Sequence, residues 1–581
     1  MSRHDGDTTE KNRRRFLQAI GLGATVGIAG CTSSDGGDGG SGGDGDGGDG
    51  TDADTATSTD TPTESDGGDG GGGGGGTFNF ALGSEPTTLD AHLANRVPEQ
   101  LVLQTITEPL FRLTPDKQAV PHLVSEFDRS DDATQFTFTL EEGRQFHDGE
   151  TLTGEVAAWN LRRFVDEGKN AYILGDPANI ESTGEYEFTV EYDSPKPRLP
   201  LLLTNWYTSM ISRAAVESAG DDYGVETVVG TGPFEFENWN SGTEITITRN
   251  DDYDWGVDFA MNQGPANVEA GTFSIIPEST TRISELTDGT VDGTSYVPLS
   301  NADQVVNSSN ATFNETAFPY PAYFPLNMQR APTDDIRVRR AISHAVQRDP
   351  IIQAAVGGHG TPTWGLAPPI SVNGLSESRA KEVGYTYDVE RARSLLDEAG
   401  WTNSSQGQIR TKGGEKLELT MLGFALDQWS TQAKVAQALL KEVGISVNVQ
   451  VVEGGTFYNK LENQEYHTIT GGTSANYAVD FLTSAFSSRN LATGGGFNVS
   501  MFESDEMDSL IERAKRAPSR EDRVEAVKNA QELLMEQAAA VPIMTVNRTY
   551  GHKNAVGGLD AFLDHPWYPV QYYMHWTDVT V

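Results

Sequence analysis

The stretch "AQALLKEVGISVNVQ", Ala436 to Gln450, decides the fold. Leu439 and Leu440 sit on a helix that Gly444 terminates, since glycine adopts the left-handed backbone of a helix stop at no steric cost. Ile445, Val447, Val449 and Val451 then alternate with polar residues, the period of a strand with one buried face. A helix running straight into a strand predicts an α/β lobe whose sheet is covered on both faces.

The same punctuation extends outward. Asp388 opens a helix with Ala392, Leu395, Leu396 and Ala399 on its apolar side and Gly400 as its stop. Asp334 caps a segment in which Val338, Ile342, Ala345 and Val346 share a face, and Asp349-Pro350 restarts a helix with proline at its first position. Arg337, Arg339 and Arg340 on that segment read as a solvated face paired with acids. Further upstream, "FTFTL" places Phe136, Phe138 and Leu140 on one side of a strand, and "EYEFTVEY" does so with Tyr186, Phe188, Val190 and Tyr192. Asp148-Gly149 marks a turn between them, and Thr153 caps a helix burying Ala157, Leu161 and Phe164. A body of about 500 residues at this density of elements implies two or three domains.

The chain has 581 residues and one cysteine, Cys31, which follows an apolar run from Phe16 to Ala29. That run is shorter than the about 20 residues needed to span a bilayer and suits a signal-peptide core. Arg13 and Arg14, continued by Arg15-Phe16-Leu17, look like a twin-arginine export signal, and Ile28-Ala29-Gly30-Cys31 resembles a lipobox. Cys31 is therefore expected to carry a lipid of at least two chains, because one chain binds membranes only marginally. Residues 32–76 are almost all Gly, Asp, Ser and Thr and cannot bury enough apolar area to offset their ordering entropy. As a glycine-rich coil they would span roughly 35–40 Å, a tether between membrane and body.

The formal net charge is −42, from 84 acidic and 42 basic residues. Such a surface opposes phosphate contacts, which argues against nucleic-acid partners, and resembles that of proteins from high-salt environments. With one cysteine, intrachain disulfides and thiolate metal sites are excluded. The body from Thr77 onward has no Gly-x-Ser-x-Gly elbow and no His-Glu-x-x-His pair, so a secreted hydrolase finds no activated nucleophile or zinc site. Asn-x-Ser/Thr triplets at Asn307, Asn310, Asn314, Asn403, Asn498 and Asn547 are compatible with surface glycosylation.

Five blocks in order carry a resemblance to a known family. They are "SEPTTLDAHLANRVPEQLVLQTITEPLFRL" from Ser84, "FTFTLEEGRQFHDGETLTGEVAAWNLRRF" from Phe136, "VVGTGPFEFENW…ITRNDDYDW" from Val228, "DDIRVRRAISHAVQRDPII" from Asp334, and the stretch quoted first. The chain resembles the family 5 extracellular solute-binding proteins of ABC importers, which include dipeptide, oligopeptide and nickel binders, and among them a lipoprotein of haloarchaeal type. The resemblance implies a periplasmic-binding-protein-like α/β fold of type II, cluster C: a two-lobe clamp with an extra inserted domain. It places domain I at 77–107, 229–318 and 541–581, domain II at 108–228, and domain III at 319–540. Hinge crossings are expected near Phe318–Phe324 and Ala540–Met544. The implied partners are a peptide or other small solute, the transmembrane subunits of a permease, and the outer face of the cytoplasmic membrane through the anchor. No cofactor, metal or catalytic residue is implied. Oligosaccharides and nickel chelates are alternative solutes on the same fold.

Within that resemblance, peptide-binding relatives hold the ligand's ammonium with an Asp in a W-x-A-D-Y-like stretch. Here the stretch is "GGTSANYAVDF", with Thr473 for the Trp, Asn476 for the Asp, and Tyr477 following. A second contact zone reads Asn95-Arg96-Val97, where relatives can carry an acid at the first position. Asparagine accepts a hydrogen bond but supplies no counter-charge, so free-amine peptides become poor ligands. Tyr323 and Trp429, with Tyr320 and Tyr458, are candidates to stack on a sugar or amide face, weighed against ordinary core packing. His147 in Phe146-His147-Asp148-Gly149 reads as a turn residue. Gly230-Thr231-Gly232-Pro233 resembles a phosphate loop only superficially, since it lacks the Gly-Lys-Ser/Thr ending.

Overall fold

The computed structural model describes residues 75–114, 117–402, 408–559 and 576–581. Arg13, Arg14, Cys31 and nearly all of the tether lie outside them. Among the described residues, no helix is long and apolar enough to cross a membrane.

Two sets of three parallel strands organise the body. In the first, Thr77–Leu82 lies between Ala270–Ile275 and Gly293–Ser295. In the second, Glu418–Phe424 lies between Ser446–Val452 and Thr468–Gly472. Two long antiparallel strands, Ala311–Pro325 and Ala540–Lys553, join the sets into one eleven-stranded sheet. The opening stretch behaves as its pattern requires: helix Asp427–Glu442 ends before Gly444, at φ 89°, and the strand follows. Ile445 and Val447 are buried but Val451 is exposed, because this strand is the outer edge of the sheet and its far end has nothing to pack on.

A separate four-stranded antiparallel sheet of Val124–Arg129, Gln135–Leu140, Glu187–Glu191 and Asn179–Ser182 stands beside the first set. Phe136, Phe138, Leu140, Phe188 and Val190 are buried in its core with Ala157, Leu161 and Phe164 of helix Gly154–Glu167. The Thr153 side chain accepts from the Val156 amide, as a capping residue should.

Some local readings shift. Asp335, not Asp334, caps helix Ile336–Ala345, accepting from the Arg337 amide at 2.9 Å. The next helix, Arg348–Val356, begins before Asp349, so Pro350 sits in its first turn but not at its first position. Arg339 is not on a solvated face: it is buried and donates to the carbonyls of Thr333, Asp334 and Gln537, and burial lowers its guanidinium to about 10. Asn498 is also fully buried, holding the carbonyls of Ser487 and Phe502, so it is no surface glycosylation site.

The four-stranded unit is locked to the main sheet through one carboxylate. Glu108, fully buried, accepts from Arg112 (3.1 Å), His122 (2.8 Å), Thr231 (3.0 Å), Tyr253 (2.9 Å) and Trp255 (2.9 Å). His147 adds a second tie, with Nε2 on the Gly232 carbonyl at 2.9 Å and Nδ1 facing the Gly230 amide at 3.4 Å. Gly230 and Gly232 are needed for close approach, since a Cβ at Gly230 would stand 2.1 Å from the Ile106 carbonyl oxygen. The segment is thus a packing turn and not a phosphate loop. Removing one member of a buried charged network leaves the others uncompensated. Glu108→Ala should therefore cost about 3–5 kcal/mol, measured by denaturant unfolding, whereas surface Glu→Ala changes such as Glu181→Ala should be near neutral.

Candidate functional site

In open α/β sheets, ligands bind outside the carboxyl ends of parallel strands, where successive connections leave in opposite directions. Both strand sets create such a point, after Leu82 in one and after Phe424 in the other, because each central strand is flanked on both sides by parallel partners. The registers aim these ends at each other. Gly293–Ser295 runs antiparallel to Ala540–Lys553, from His552 towards Tyr550, and Thr468–Gly472 runs antiparallel to Ala311–Pro325, meeting it at Tyr323 and Ala322. The ends converge where the two long strands lose pairing, between Ala317 and Pro321, and this is the candidate crevice.

The "GGTSANYAVDF" loop leaves strand Thr468–Gly472 at this break. The Ala475 amide donates to the Pro319 carbonyl at 2.7 Å, and the Tyr320 hydroxyl donates to the Gly472 carbonyl at 3.1 Å. Asn476 is held by its main chain, whose carbonyl accepts from the Val372 amide at 2.8 Å, while its side-chain Oδ1 is buried without a hydrogen-bond partner. A buried acceptor left unmatched is costly, about 1–3 kcal/mol, so it marks a position where a donor on another molecule would be stabilised.

The next turn clamps the lobes together. Arg198, beside short helix Leu199–Leu202 of the four-stranded unit, makes a bidentate pair with Asp480 at 2.7 and 2.8 Å, and its guanidinium lies 5.5 Å from the Tyr477 ring centroid. Although desolvation opposes ionisation, the Arg198 charge and its hydrogen bonds hold the Asp480 carboxyl below its ordinary value. Tyr477 joins Leu113, Leu201 and Val372 in a small apolar seam. Lys117 reaches across to the carbonyls of Pro369 (2.8 Å) and Ser371 (3.2 Å), and burial, with the charge of Arg520, lowers its ammonium to about 8.

The other sequence candidates are distributed unevenly. Asn95 and Arg96 lead into helix Val97–Ile106 and are anchored by buried Glu99, which accepts from both their amides and from Thr87. Asn95, Arg96 and Val97 are half-buried and share no hydrogen bond or ion pair with the Asn476 loop. Tyr323 and Trp429 are buried in separate apolar clusters, Tyr323 edge-on to Phe481 and Trp429 in the core that also holds Met421 and Ala433. Sequence reasoning missed Arg198, Asp480 and Lys117. Asp480 stood in the quoted loop, one helical turn past Asn476, and its spacing was the available signal.

A sequence profile of the family described as "Bacterial extracellular solute-binding proteins, family 5 Middle" matches residues 118–492. A glutathione-binding protein of Salmonella paratyphi A is 24% identical over 488 residues, covering 82% of this chain and 90% of that protein. Among solved structures, HbpA2 from Haemophilus parasuis superimposes with a TM-score of 0.75 at 20% identity, over 87% of this chain and all of that one. The periplasmic binding protein DppA from Helicobacter pylori, in complex with the peptide STSA, gives 0.63 at 22% identity, over 87% and 98%. The two structures share the two-lobe fold.

Half of the Asp480 side chain faces solvent, so the Arg198 pair is worth at most about 1 kcal/mol after screening. That is enough to bias two lobe arrangements of nearly equal energy. Arg198→Asp should enlarge the radius of gyration of the solute-free protein in small-angle scattering, and adding Asp480→Arg to the same chain should restore it.

Proposed function

The chain belongs to the family 5 extracellular solute-binding proteins of ABC importers, and we propose that its crevice closes over a peptide-like or other small polar solute lacking a free ammonium group. The observation that carries this choice of solute is Asn476, whose buried, unmatched Oδ1 offers one acceptor and no charge at the rim of the crevice. A primary ammonium brought there would be desolvated without a counter-charge, which costs far more than one neutral hydrogen bond returns. A blocked amine, an amide or a hydroxyl donates to the same atom without that cost. Tyr477 beside it contributes an apolar, stackable ring.

On this reading domain I comprises 77–107, 229–318 and 541–581, domain II 108–228, and domain III 319–540. The segment Phe318–Phe324, which begins at the break in pairing, serves as one hinge crossing and Ala540–Met544 as the other. Closure brings the Asn476 loop against the four-stranded unit, and the closed form is the surface that a permease would read. The solute leaves chemically unchanged, because the protein supplies binding and no catalytic group. Export through Arg13 and Arg14, with lipidation at Cys31, would hold the body on the outer face of the cytoplasmic membrane by way of the tether.

Restoring the lost carboxylate tests the solute assignment. Asn476→Asp should strengthen binding of free-amine dipeptides and tripeptides at least tenfold, read by calorimetry on the full-length chain. Unchanged or weaker binding would remove Asn476 from the ligand site.

A further inference from the structure

The lobe opposite Asn476 presents a buried cation with no ion pair among the described residues. Arg282 lies in the first turn of helix Ser279–Asp288, directly after the carboxyl end of strand Ala270–Ile275, and is 3% exposed. Its Nη1 donates to the carbonyls of Ile276 (2.7 Å) and Pro277 (3.3 Å), whereas Nε is buried without a partner. No carboxylate among the described residues forms an ion pair with it. Glu278 is close enough to favour its charge but uses its own side chain on the Thr280 amide, and desolvation is the largest influence on the guanidinium, lowering its pKa. In a chain with 84 acidic residues, a desolvated arginine left without a carboxylate is a costly arrangement.

Residues at the other two carboxyl strand ends of this set surround that guanidinium. Gly83, the residue after strand Thr77–Leu82, packs so close that a Cβ there would stand 3.3 Å from Arg282 Cζ. Tyr296, the residue after strand Gly293–Ser295, takes φ 62°, a left-handed conformation costly for a tyrosine. Its hydroxyl lies within the electrostatic reach of both Arg282 and Arg548. Arg548 in turn stacks over the Phe318 ring at 3.8 Å, next to Pro319, which holds the Asn476 loop. Three carboxyl strand ends thus place Gly83, Arg282 and Tyr296 together, and Arg548 links them to the other lobe.

We propose that Arg282 is an anion-recognition residue of this crevice, binding a carboxylate of the solute through Nε and Nη2 while Tyr296 and Arg548 flank the same group. An arginine's planar fork matches a carboxylate at two points, so the pairing would offset the desolvation of both charges. The inference rests on the solute-binding reading above and sharpens it. The cargo is an acid without a free amine, anchored by its charge at Arg282 and by a neutral donor at Asn476.

The test equilibrates the full-length chain with a library of N-acetylated tripeptides, each present as the free acid and as the C-terminal amide, and quantifies retained species by mass spectrometry. The acids should be enriched at least tenfold over their amides, and Arg282→Gln should abolish the preference. Should Arg282→Gln fail to fold, Gly83→Asp supplies a carboxylate beside the guanidinium and should abolish it as well. Equal retention of acids and amides by the unaltered protein, or a preference surviving in a folded variant, overturns the anion assignment and leaves solute binding standing. Retention of neither class, with no lobe closure in scattering, overturns both.

Discussion

The arrangement depends on a gap in backbone pairing. Strands Ala311–Pro325 and Ala540–Lys553 run side by side through both lobes, yet between Ala317 and Pro321 their register breaks. Buried amides and carbonyls must be paired, and the released groups are taken by the neighbouring loop, with Ala475 donating to Pro319. The segment that would otherwise be a rigid ladder becomes both the floor of the crevice and the attachment point of the loop bearing Asn476. Because the carboxyl ends of both parallel sets converge on this gap, the crevice follows from strand direction before any side chain is considered.

Electrostatics then divide the labour. The chain is strongly acidic, and most of that charge is on the surface, where it interacts mainly with solvent and ions. The buried charges behave differently. Glu108 and Glu99 are enclosed by donors: Glu108 fastens the four-stranded unit to the main sheet, and Glu99 holds the loop that leads into its own helix. Arg198 reaches across the lobes to a half-exposed acid, a contact weak enough to open and close. Arg282 forms no ion pair among the described residues, although Glu278 lies near it. The first two carboxylates serve rigidity, the pair serves motion, and the Arg282 guanidinium, with its unmatched Nε, is the group proposed for a ligand.

Much of the fold was legible in the sequence because it was written in periodicity. The Thr153 cap and the phenylalanines of "FTFTL" lie where their pattern puts them, and the alternation after Gly444 holds for Ile445 and Val447 but fades to an exposed Val451 at the sheet edge. Errors arose where a choice hung on one residue of capping, as at Asp335, or where polarity was taken for exposure, as at Arg339. The site was only partly legible. Asn476 could be found by comparison with a motif, but its unmatched oxygen could not, since that depends on the Val372 and Pro319 backbone. Arg198 and Asp480 are far apart in the chain, as are Gly83, Arg282 and Tyr296. Only the three-dimensional crossing of strands brings such residues together, and no local period encodes it.

The most direct measurement is small-angle scattering on full-length protein stripped of co-purified solute by unfolding and refolding, repeated after adding back the extracted small-molecule pool. A clamp that closes over its guest predicts a smaller radius of gyration once the pool returns, with the same molecules recovered unaltered afterwards. Superimposable scattering curves, or a pool whose masses change during incubation with the protein, would contradict it.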